Sequence, residues 1–270
     1  MINLMYAGNI KVFDGLLISL VSLAKHTKEP FTAYVLTMDL HEIDPIYIPI
    51  SDYQIEFLQS VVQKYNKDNR IIKIDTTKEY HTFFADGKNQ KTRCTPYTLL
   101  RLLAPHLELP KKIIYLDTDT VINNDIGELY NIDITNYEVG VVRDIMFANF
   151  VYFRNYFNAG MMLMNLKMLK ETKAFDKAAY LCKTKKLAFA DQDALNRSIK
   201  HRLMIPYKFN WFRHRCKYND DIVVHHMCNA RQKNNVHHRI KPWETELFLE
   251  SFPMYRELIE ECNELKKQMN

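Results

Sequence analysis

Two aspartates, Asp117 and Asp119, directly follow a run of apolar residues at 113–116. The apolar run predicts a buried strand, so both carboxylates leave its end two residues apart and reach one hard cation. A divalent cation held this way keeps open positions, which a diphosphate fills, and it neutralises charge on a leaving group. Without a cation the two carboxylates repel each other. That repulsion disfavours the alternative of a simple Asx turn at the strand end.

Other polar groups stand beside predicted strands and helices. Asn158 offers an amide and Gly160 allows close backbone approach, which suits the hydroxyls of a sugar, although a simple turn explains the pair about as well. Asp191, Gln192 and Asp193 open a predicted helix. Capping explains acidic residues there, and contact with a ligand is the alternative.

A third metal ligand is predicted at His225, which follows two valines. A neutral imidazole is a suitable partner for two carboxylates around an ion such as Mn²⁺. Other candidates for this ligand are His226, His237 and His238. A rival zinc site fits no usual finger, because the chain has no C-x₂₋₄-C spacing. Its candidate ligands are Cys216, Cys228, His225 or His226, and His237 or His238.

Composition narrows the function classes. The chain has 270 residues, a net charge of +5 and only 6 glycines. It lacks both G-x-x-x-x-G-K and G-x-G-x-x-G, so phosphate binding must rely on a metal, basic side chains or helix N-termini. Because no basic stripe with interleaved aromatics is present, nucleic-acid binding is disfavoured. Five widely spaced cysteines are typical of reduced thiols, and the apolar stretch at 16–24 is too short to span a bilayer. These features predict a cytoplasmic enzyme, with any membrane contact peripheral at the inner face.

Strands alternate with helices over the first two hundred residues, which predicts an α/β fold with a mostly parallel central sheet. Ligands bind such sheets at the carboxyl ends of strands. From about residue 206 the alternation is lost, and 243–270 is predicted to be helical. We expect one domain at 1–243 and a C-terminal helical extension at 244–270. The predicted strands are 2–6, 31–37, 70–74, 112–116, 139–142 and 161–164, and the predicted helices before residue 206 are 13–26, 51–65, 96–107, 166–184 and 191–200. Asp14 and Thr95 are predicted N-caps of the first and third of these helices, and Ser51 with Gln54 is predicted to form a capping box at the second.

Together these segments resemble retaining family 8 glycosyltransferases of the galactosyltransferase and glycogenin type. The resemblance implies a GT-A-type, Rossmann-like domain, a UDP-sugar donor and Mn²⁺ or Mg²⁺. It extends over most of 2–243, and the order of five motifs makes it specific. These are Tyr-Leu-Asp-Thr-Asp at 115–119, Phe-Asn-Ala-Gly at 157–160, Asp-Gln-Asp-Ala-Leu-Asn at 191–196, Phe-Asn-Trp at 209–211 and Lys-Pro-Trp at 241–243.

The resemblance also implies residue roles. Metal ligands would be Asp117, Asp119 and His225. Donor contacts would come from Ala7, Asn9, Arg101, Asp117, Thr118, Asn158, Ala159 and Lys241, with Ala7 and Asn9 facing the nucleoside. The catalytic group would be Gln192 with Asp191 and Asp193, Gln192 being nearest the anomeric carbon.

Retention of configuration restricts the mechanism. A double displacement needs a carboxylate nucleophile, and the amide of Gln192 is a poor one. Asp193 is adjacent in sequence, but the next residue on a helix points about 100° away. We therefore expect same-face attack, in which the diphosphate leaves, the acceptor hydroxyl enters beside it and the leaving phosphate takes the proton.

The sequence thus predicts transfer of glucose or galactose from UDP to a hydroxyl of a glycan, lipid-linked sugar or glycoprotein. Asn9 and Lys11 stand where family members usually carry acidic residues, which motivates a non-catalytic sugar-nucleotide or glycan-binding protein as an alternative. A second alternative is a haloacid-dehalogenase-type phosphatase with Asp117 as nucleophile, and a third is a basic nucleic-acid binder. The interval from His225 to Lys241 is longer than usual and lacks its glycine, so the third metal ligand stays open.

Overall fold

A mixed sheet of seven strands forms the centre of the molecule. The computed structural model describes residues 1–89, 95–144, 155–212, 218–232 and 235–269. The strands within them are β1 (Ile2–Ala7), β2 (Phe31–Thr37), β3 (Arg70–Asp75), β4 (Lys112–Leu116), β5 (Thr120–Ile122), β6 (Val139–Arg143), β7 (Phe157–Asn165), β8 (Arg202–Met204), β9 (Val224–His226), β10 (Arg231–Gln232) and β11 (Asn235–Arg239).

The strand order of the sheet is β3-β2-β1-β4-β7-β6-β8. Strands β1 to β4 are parallel, whereas β7 is antiparallel to both of its neighbours. Two smaller antiparallel pairs, β5 with β9 and β10 with β11, lie outside this sheet. The carboxyl ends of β1 and β4 are therefore adjacent, and the start of β7 lies beside the end of β4.

Helices cover both faces of the sheet. They are α1 (Phe13–His26), α2 (Asp52–Gln63), α3 (Thr77–Phe84), α4 (Gly127–Tyr130), α5 (Leu166–Thr172), α6 (Ala174–Thr184), α7 (Ala190–Ser198), α8 (Thr245–Ser251) and α9 (Arg256–Lys267), with 3₁₀ segments at Ile10–Val12, Pro96–His106, Tyr207–Phe209, Met227–Asn229 and Pro253–Tyr255. No helix among the described residues combines the length and hydropathy of a membrane span.

Alternation along the strands divides the core between the two faces. Leu4 and Ile114 join a cluster with α1, α2, α8 and α9, whereas Met5 and Tyr115 join one with α3, α5, α6, α7 and the Pro96–His106 segment. Successive side chains of a strand point to opposite faces, so a strand that is buried on both sides is apolar throughout. This explains why continuous apolar runs, rather than alternating ones, predicted the strands.

Most predicted elements are confirmed. Strands β2 and β4 and helix α1 have the predicted bounds, and β1, β3 and β6 differ from theirs by one residue. The predicted capping box of α2 is present: Ser51 accepts from the Gln54 N–H, and the Gln54 side chain accepts from the Ser51 N–H. These features depend on local hydrophobic pattern and local hydrogen bonds, which the sequence contains directly.

Four local predictions differ from the structure in whole or in part. Residues 157–160 are not a turn before a strand but the first part of β7. The predicted helix at 166–184 is two helices, because Lys173 adopts a left-handed conformation with φ 54°. Asp14 does not cap α1, which begins after Val12, and its carboxylate instead pairs with Lys266 of α9. The predicted helix at 96–107 is present as Pro96–His106 with Thr95 at its N-cap position, but it is a 3₁₀ helix and the Thr95 side chain makes no capping hydrogen bond.

The C-terminal helices α8 and α9 pack into the main core. Phe248 and Ile259 are at most 1% exposed and belong to the same cluster as α1. Ion pairs join Asp14 to Lys266 and Lys25 to Glu261. The division between a domain at 1–243 and an extension at 244–270 stays a prediction, but these helices contribute to a shared core.

We predict that Ile259→Ala destabilises the whole protein. It removes a side chain that is 1% exposed, and deletion of a buried isoleucine costs about 2–5 kcal/mol. Urea unfolding followed by circular dichroism measures the loss. The control is Glu260→Ala on the exposed face of α9, where only an ion pair with Arg256 is removed and the expected change is below about 1 kcal/mol. Equal stability of the two variants would show that α9 does not belong to the cooperative core.

Candidate active site

Asp117 and Asp119 leave the end of β4 at the edge of the sheet where β1 also ends. Asp119 is 7% exposed, and the Asp117 side chain is 28% exposed. The backbone N–H of Asp117 donates to the Gly160 carbonyl at 2.8 Å, which joins this turn to β7. The predicted carboxylate pair is therefore at a strand end, partly enclosed by the neighbouring strand.

Basic residues keep both carboxylates charged. Burial would raise the pKa of Asp117, but the charge of Arg101 and the neighbouring His226 outweigh it, so its pKa lies below the usual range. Burial opposes ionisation of Asp119 in the same way, and Lys241 and His226 lower its pKa further still. Arg101 Nη2 lies 2.9 Å from Asp117 Oδ1, and Lys241 Nζ contacts Asp119 Oδ2.

The structure places His226, and not the predicted His225, beside the carboxylates. Strand β9 pairs with β5 so that His226 opposes Thr120 and His225 opposes Val121. Neighbouring residues on a strand point to opposite sides, and this register turns only His226 towards the aspartates. The preference for His225 is therefore corrected to His226.

His225 has a structural role instead. Its ring packs against Trp211, with centroids 4.4 Å apart, and against Phe252 at 5.2 Å. Its Nδ1 is 2.8 Å from the Tyr255 hydroxyl. The imidazole therefore helps to hold the C-terminal helices against the rest of the protein.

The three groups Asp117, Asp119 and His226 fit a divalent cation. Their candidate ligand atoms all lie within 4.8 Å of one another. The buried His226 Nε2 is 3.2 Å from Asp119 Oδ1 and 3.5 Å from Asp117 Oδ2, and neither contact has the geometry of a regular hydrogen bond. A buried nitrogen that faces two carboxylates without a hydrogen bond is what a metal ligand requires.

The other candidate ligands of the sequence do not join this cluster. His238 Nε2 is 2.8 Å from Glu244 Oε1. The His237 side chain and Cys216 lie outside the described residues. Cys228 lines the same cavity as His226, but no cysteine–histidine metal cluster occurs among the residues that the structure describes. The one further cluster found there, Asp39 with His41 and Glu42, is largely exposed and lies outside this site.

Arg101 connects the cluster of Asp117, Asp119 and His226 to Asp191, in the second predicted acidic segment. It is 3% exposed, its Nε lies 3.1 Å from Asp191 Oδ2, and its guanidinium stacks 4.2 Å from the Tyr115 ring centroid. Burial raises the pKa of Asp191 although Arg101 opposes the rise. The Tyr115 hydroxyl donates to Asp117 Oδ1 at 2.7 Å, a contact that sequence reasoning missed.

Gln192, Asn158 and Ala159 meet as the resemblance implied. Gln192 Oε1 accepts from the Ala159 N–H at 3.1 Å and from Asn158 Nδ2 at 3.2 Å. Asp193 is directed elsewhere. Its carboxylate accepts from the Phe189 N–H at 3.0 Å and from the Tyr156 hydroxyl at 2.7 Å, so it caps its own helix.

Two cavities meet at the cluster. The larger, about 590 Å³, is lined by Ala7, Asn9, Thr118 and Trp243, and the smaller, about 240 Å³, by Asn158, Ala159, Asp191, Gln192 and His226. Both are also lined by Arg101, Asp117, Asp119, Arg239 and Lys241. A cleft of about 670 Å³ beside Asp193 contains none of the cluster residues, so volume alone does not locate the site.

The walls of the larger cavity are ordered by local contacts. Asn9 is 5% exposed, accepts from the Lys11 N–H and donates to the Ile46 carbonyl, so its side chain shapes the loop after β1. A Cβ on Gly15 would lie 2.5 Å from Trp243 Cζ3, which shows how closely the Lys-Pro-Trp segment packs on α1. Arg239, which sequence reasoning missed, is signalled only by its position two residues before Lys241.

The chain is similar in sequence to known glycosyltransferases. A family model described as "Glycosyl transferase family 8" matches residues 3–246. A putative glycosyltransferase of Haemophilus influenzae is 28% identical over 77% of this chain, and the match spans 63% of that relative's length.

Solved structures show the fold. An active-site mutant of LgtC has a TM-score of 0.70 at 16% identity, over 99% of this chain and 96% of that one. The galactosyltransferase LgtC, in complex with donor and acceptor sugar analogs, has a TM-score of 0.70 at 17% identity, over 96% of each chain. The predicted GT-A-type α/β fold is confirmed.

We predict that Gly160→Ala disrupts the candidate metal site of Asp117, Asp119 and His226. The added Cβ would overlap His226 Cε1 and lie 2.7 Å from Asp117 Oδ2, so the imidazole must move. Because second-sphere changes lower metal affinity about 10–100-fold, we expect a loss of Mn²⁺ affinity in that range by electron paramagnetic resonance. The matched control is Gly140→Ala on β6, whose added Cβ meets its nearest atom at 3.4 Å. Unchanged Mn²⁺ binding in Gly160→Ala would contradict this packing constraint.

Proposed function

This chain belongs to glycosyl transferase family 8, and we propose that it is a retaining hexosyltransferase that uses a UDP-sugar and a divalent cation. Glucose or galactose would pass to a hydroxyl of a glycan, glycolipid or glycoprotein. The observation that carries the proposal is the cluster of Asp117, Asp119 and His226 at the junction of two cavities.

Asp117, Asp119 and His226 would hold Mn²⁺ or Mg²⁺. Carboxylate oxygens suit hard cations, and imidazole suits manganese-like ions. When bound, the cation supplies Lewis-acid stabilisation of the diphosphate leaving group. Arg101 contacts Asp117 and Lys241 contacts Asp119, so these two basic side chains neutralise part of the negative charge of the carboxylate pair.

The two cavities would divide the donor between them. The nucleoside would lie against Ala7, Asn9 and Thr118 in the larger cavity. Lys241 and Arg239 line both cavities and would contact the diphosphate between them. The sugar would occupy the smaller cavity, where Asn158 and Gln192 supply amide groups and Asp191 a carboxylate.

The side chains near Gln192 favour same-face attack. Asp191 is ion-paired with Arg101, and Asp193 accepts two hydrogen bonds at the start of its helix. The Gln192 carbonyl already accepts from Asn158 and Ala159. A double displacement needs an available carboxylate beside the anomeric carbon, and none of these three side chains offers one.

The phosphatase alternative fits the site poorly. It requires Asp117 to act as a nucleophile, but Arg101 and the Tyr115 hydroxyl both contact Asp117 Oδ1, while Oδ2 faces His226.

Tight UDP binding without turnover of any sugar would instead favour the non-catalytic alternative. A cytoplasmic location with peripheral contact at the inner membrane face stays part of the proposal. The match spans only 63% of the length of the Haemophilus influenzae relative. Catalytic activity of this chain by itself is therefore also part of the proposal.

Metal-dependent UDP release tests the proposed function. We expect wild-type protein to release UDP from UDP-glucose or UDP-galactose with Mn²⁺ and not after chelation. Asp119→Asn retains a hydrogen-bond partner for Lys241 but removes the negative charge of a proposed metal ligand. We therefore expect at least about a hundredfold loss of rate. Phosphate release from phosphomonoesters without UDP-sugar turnover would instead identify a phosphatase. A rate that Asp119→Asn leaves unchanged would reject the metal site.

The adjacent histidines provide a second prediction. His226→Ala should lower Mn²⁺ affinity by about tenfold or more, because a ligand is lost. His225→Phe keeps an aromatic ring against Trp211 and Phe252, so we expect Mn²⁺ affinity within about threefold of wild type and a lower melting temperature from loss of the Tyr255 hydrogen bond. The reverse pattern would restore His225 as the ligand.

A further inference from the structure

A chain of side-chain hydrogen bonds connects the candidate metal ligand His226 to Gln192. His226 Nδ1 is 3.0 Å from Asn210 Oδ1, Asn210 Nδ2 is 3.0 Å from Asn158 Oδ1, and Asn158 Nδ2 is 3.2 Å from Gln192 Oε1. The four residues come from β9, the segment after Tyr207–Phe209, β7 and α7. Asn210 is fully buried in the middle of this chain.

Two backbone N–H groups determine the donor-to-acceptor direction of this hydrogen-bond chain. The Gly160 N–H donates to Asn158 at 3.0 Å, and the Ala159 N–H donates to Gln192 at 3.1 Å. A backbone N–H can only donate, so the side-chain atoms that it meets must be oxygens. The orientation of both amides therefore follows from main-chain geometry.

This direction selects the tautomer of His226. Asn158 presents its oxygen to Asn210, so Asn210 must turn its NH₂ group towards it and its own oxygen towards His226. The imidazole then carries a proton on Nδ1 to donate to that oxygen. In the neutral ring, Nε2 is left as a lone pair that faces Asp117 and Asp119.

The same direction limits what Gln192 offers to a ligand. Its oxygen accepts two hydrogen bonds, so Gln192 can offer a ligand its NH₂ group as a hydrogen-bond donor. Every link from His226 through Asn210 and Asn158 to Gln192 therefore donates in the same direction.

We propose that Asn210 is a positioning residue of this site. Its amide holds His226 with the proton on Nδ1 and, through Asn158, keeps Gln192 oriented with its carbonyl occupied. Gln192 would then act towards a bound sugar as a hydrogen-bond donor. The effect on turnover rests on the proposed function, whereas the orientation of the chain does not.

Two substitutions at Asn210 separate the His226 end of the hydrogen-bond chain from its Gln192 end. Asn210→Asp still accepts from His226 but sets a second oxygen against Asn158 Oδ1, which disturbs only the Gln192 side. Asn210→Leu removes both links. The matched control is Asn69→Leu, because Asn69 is 2% exposed, bonds backbone groups with both amide atoms and lies far from the site in the fold.

Three measurements then distinguish positioning from a general loss of stability. Nitrogen-15 NMR detects the solvent-protected Nδ1–H of His226, assigned by its absence in His226→Ala. Electron paramagnetic resonance gives the affinity for Mn²⁺ alone, and kinetics give kcat and KM for the UDP-sugar. Thermal melting confirms that each variant is folded.

For Asn210→Asp we expect the protected ring N–H and Mn²⁺ affinity to stay within about threefold of wild type, while kcat falls about 10–100-fold with little change in KM. For Asn210→Leu we expect loss of the protected N–H and about a tenfold weaker Mn²⁺ affinity. Asn69→Leu should lower the melting temperature only.

The proposal is overturned if Asn210→Leu keeps the protected N–H and Mn²⁺ affinity of Asn69→Leu. It is also overturned if kcat of Asn210→Asp falls no further than kcat of that control. A wild-type protein that shows the ring N–H and binds Mn²⁺ but turns over no UDP-sugar would reject the proposed function. In that case the spectroscopic and metal-binding tests of Asn210→Leu still decide the role of Asn210.

Discussion

Asp117 and Asp119 bring two negative charges together in a space that is largely shielded from water, and such a pair is stable only when positive charge surrounds it. Arg101 compensates Asp117, and Lys241 compensates Asp119. The third neighbour, His226, faces both with an unbonded nitrogen. Much of the remaining structure serves to bring Arg101, Lys241 and His226 from distant parts of the chain to the end of β4.

Close packing lets the neighbours approach. The strand β7 runs antiparallel beside β4, and Gly160 opposite Asp117 leaves the volume that the His226 ring fills. On the other side Trp243 packs on Gly15 of α1, which fixes the segment that carries Lys241. The aromatic packing of His225 against Phe252 ties β9 to the C-terminal helices. Helices α8 and α9 therefore support the site although they contribute no residue to it.

Local patterns were sufficient for much of this protein. Apolar runs predicted the central strands, because strands buried on both faces need apolar side chains throughout. Asp117 and Asp119 were recognisable because a carboxylate pair directly after such a strand lies at the edge where ligands bind. The capping box of Ser51 and Gln54 involves residues three positions apart, so the sequence alone predicted it. Arg101 and Lys241 were implied by the family resemblance as donor contacts, and the structure places both beside the carboxylates.

Only the tertiary structure could decide between His225 and His226. The two are adjacent and chemically identical, and the register of β9 against β5 determines which one faces the aspartates. Asp193 is a similar case, because its role as a cap depends on Phe189 and on Tyr156 from another element. Asn210 had no local signal of its orientation, which follows from backbone N–H groups some fifty residues earlier. Sequence determines which groups are present and which strand ends carry them, whereas pairing between distant segments determines where each side chain points.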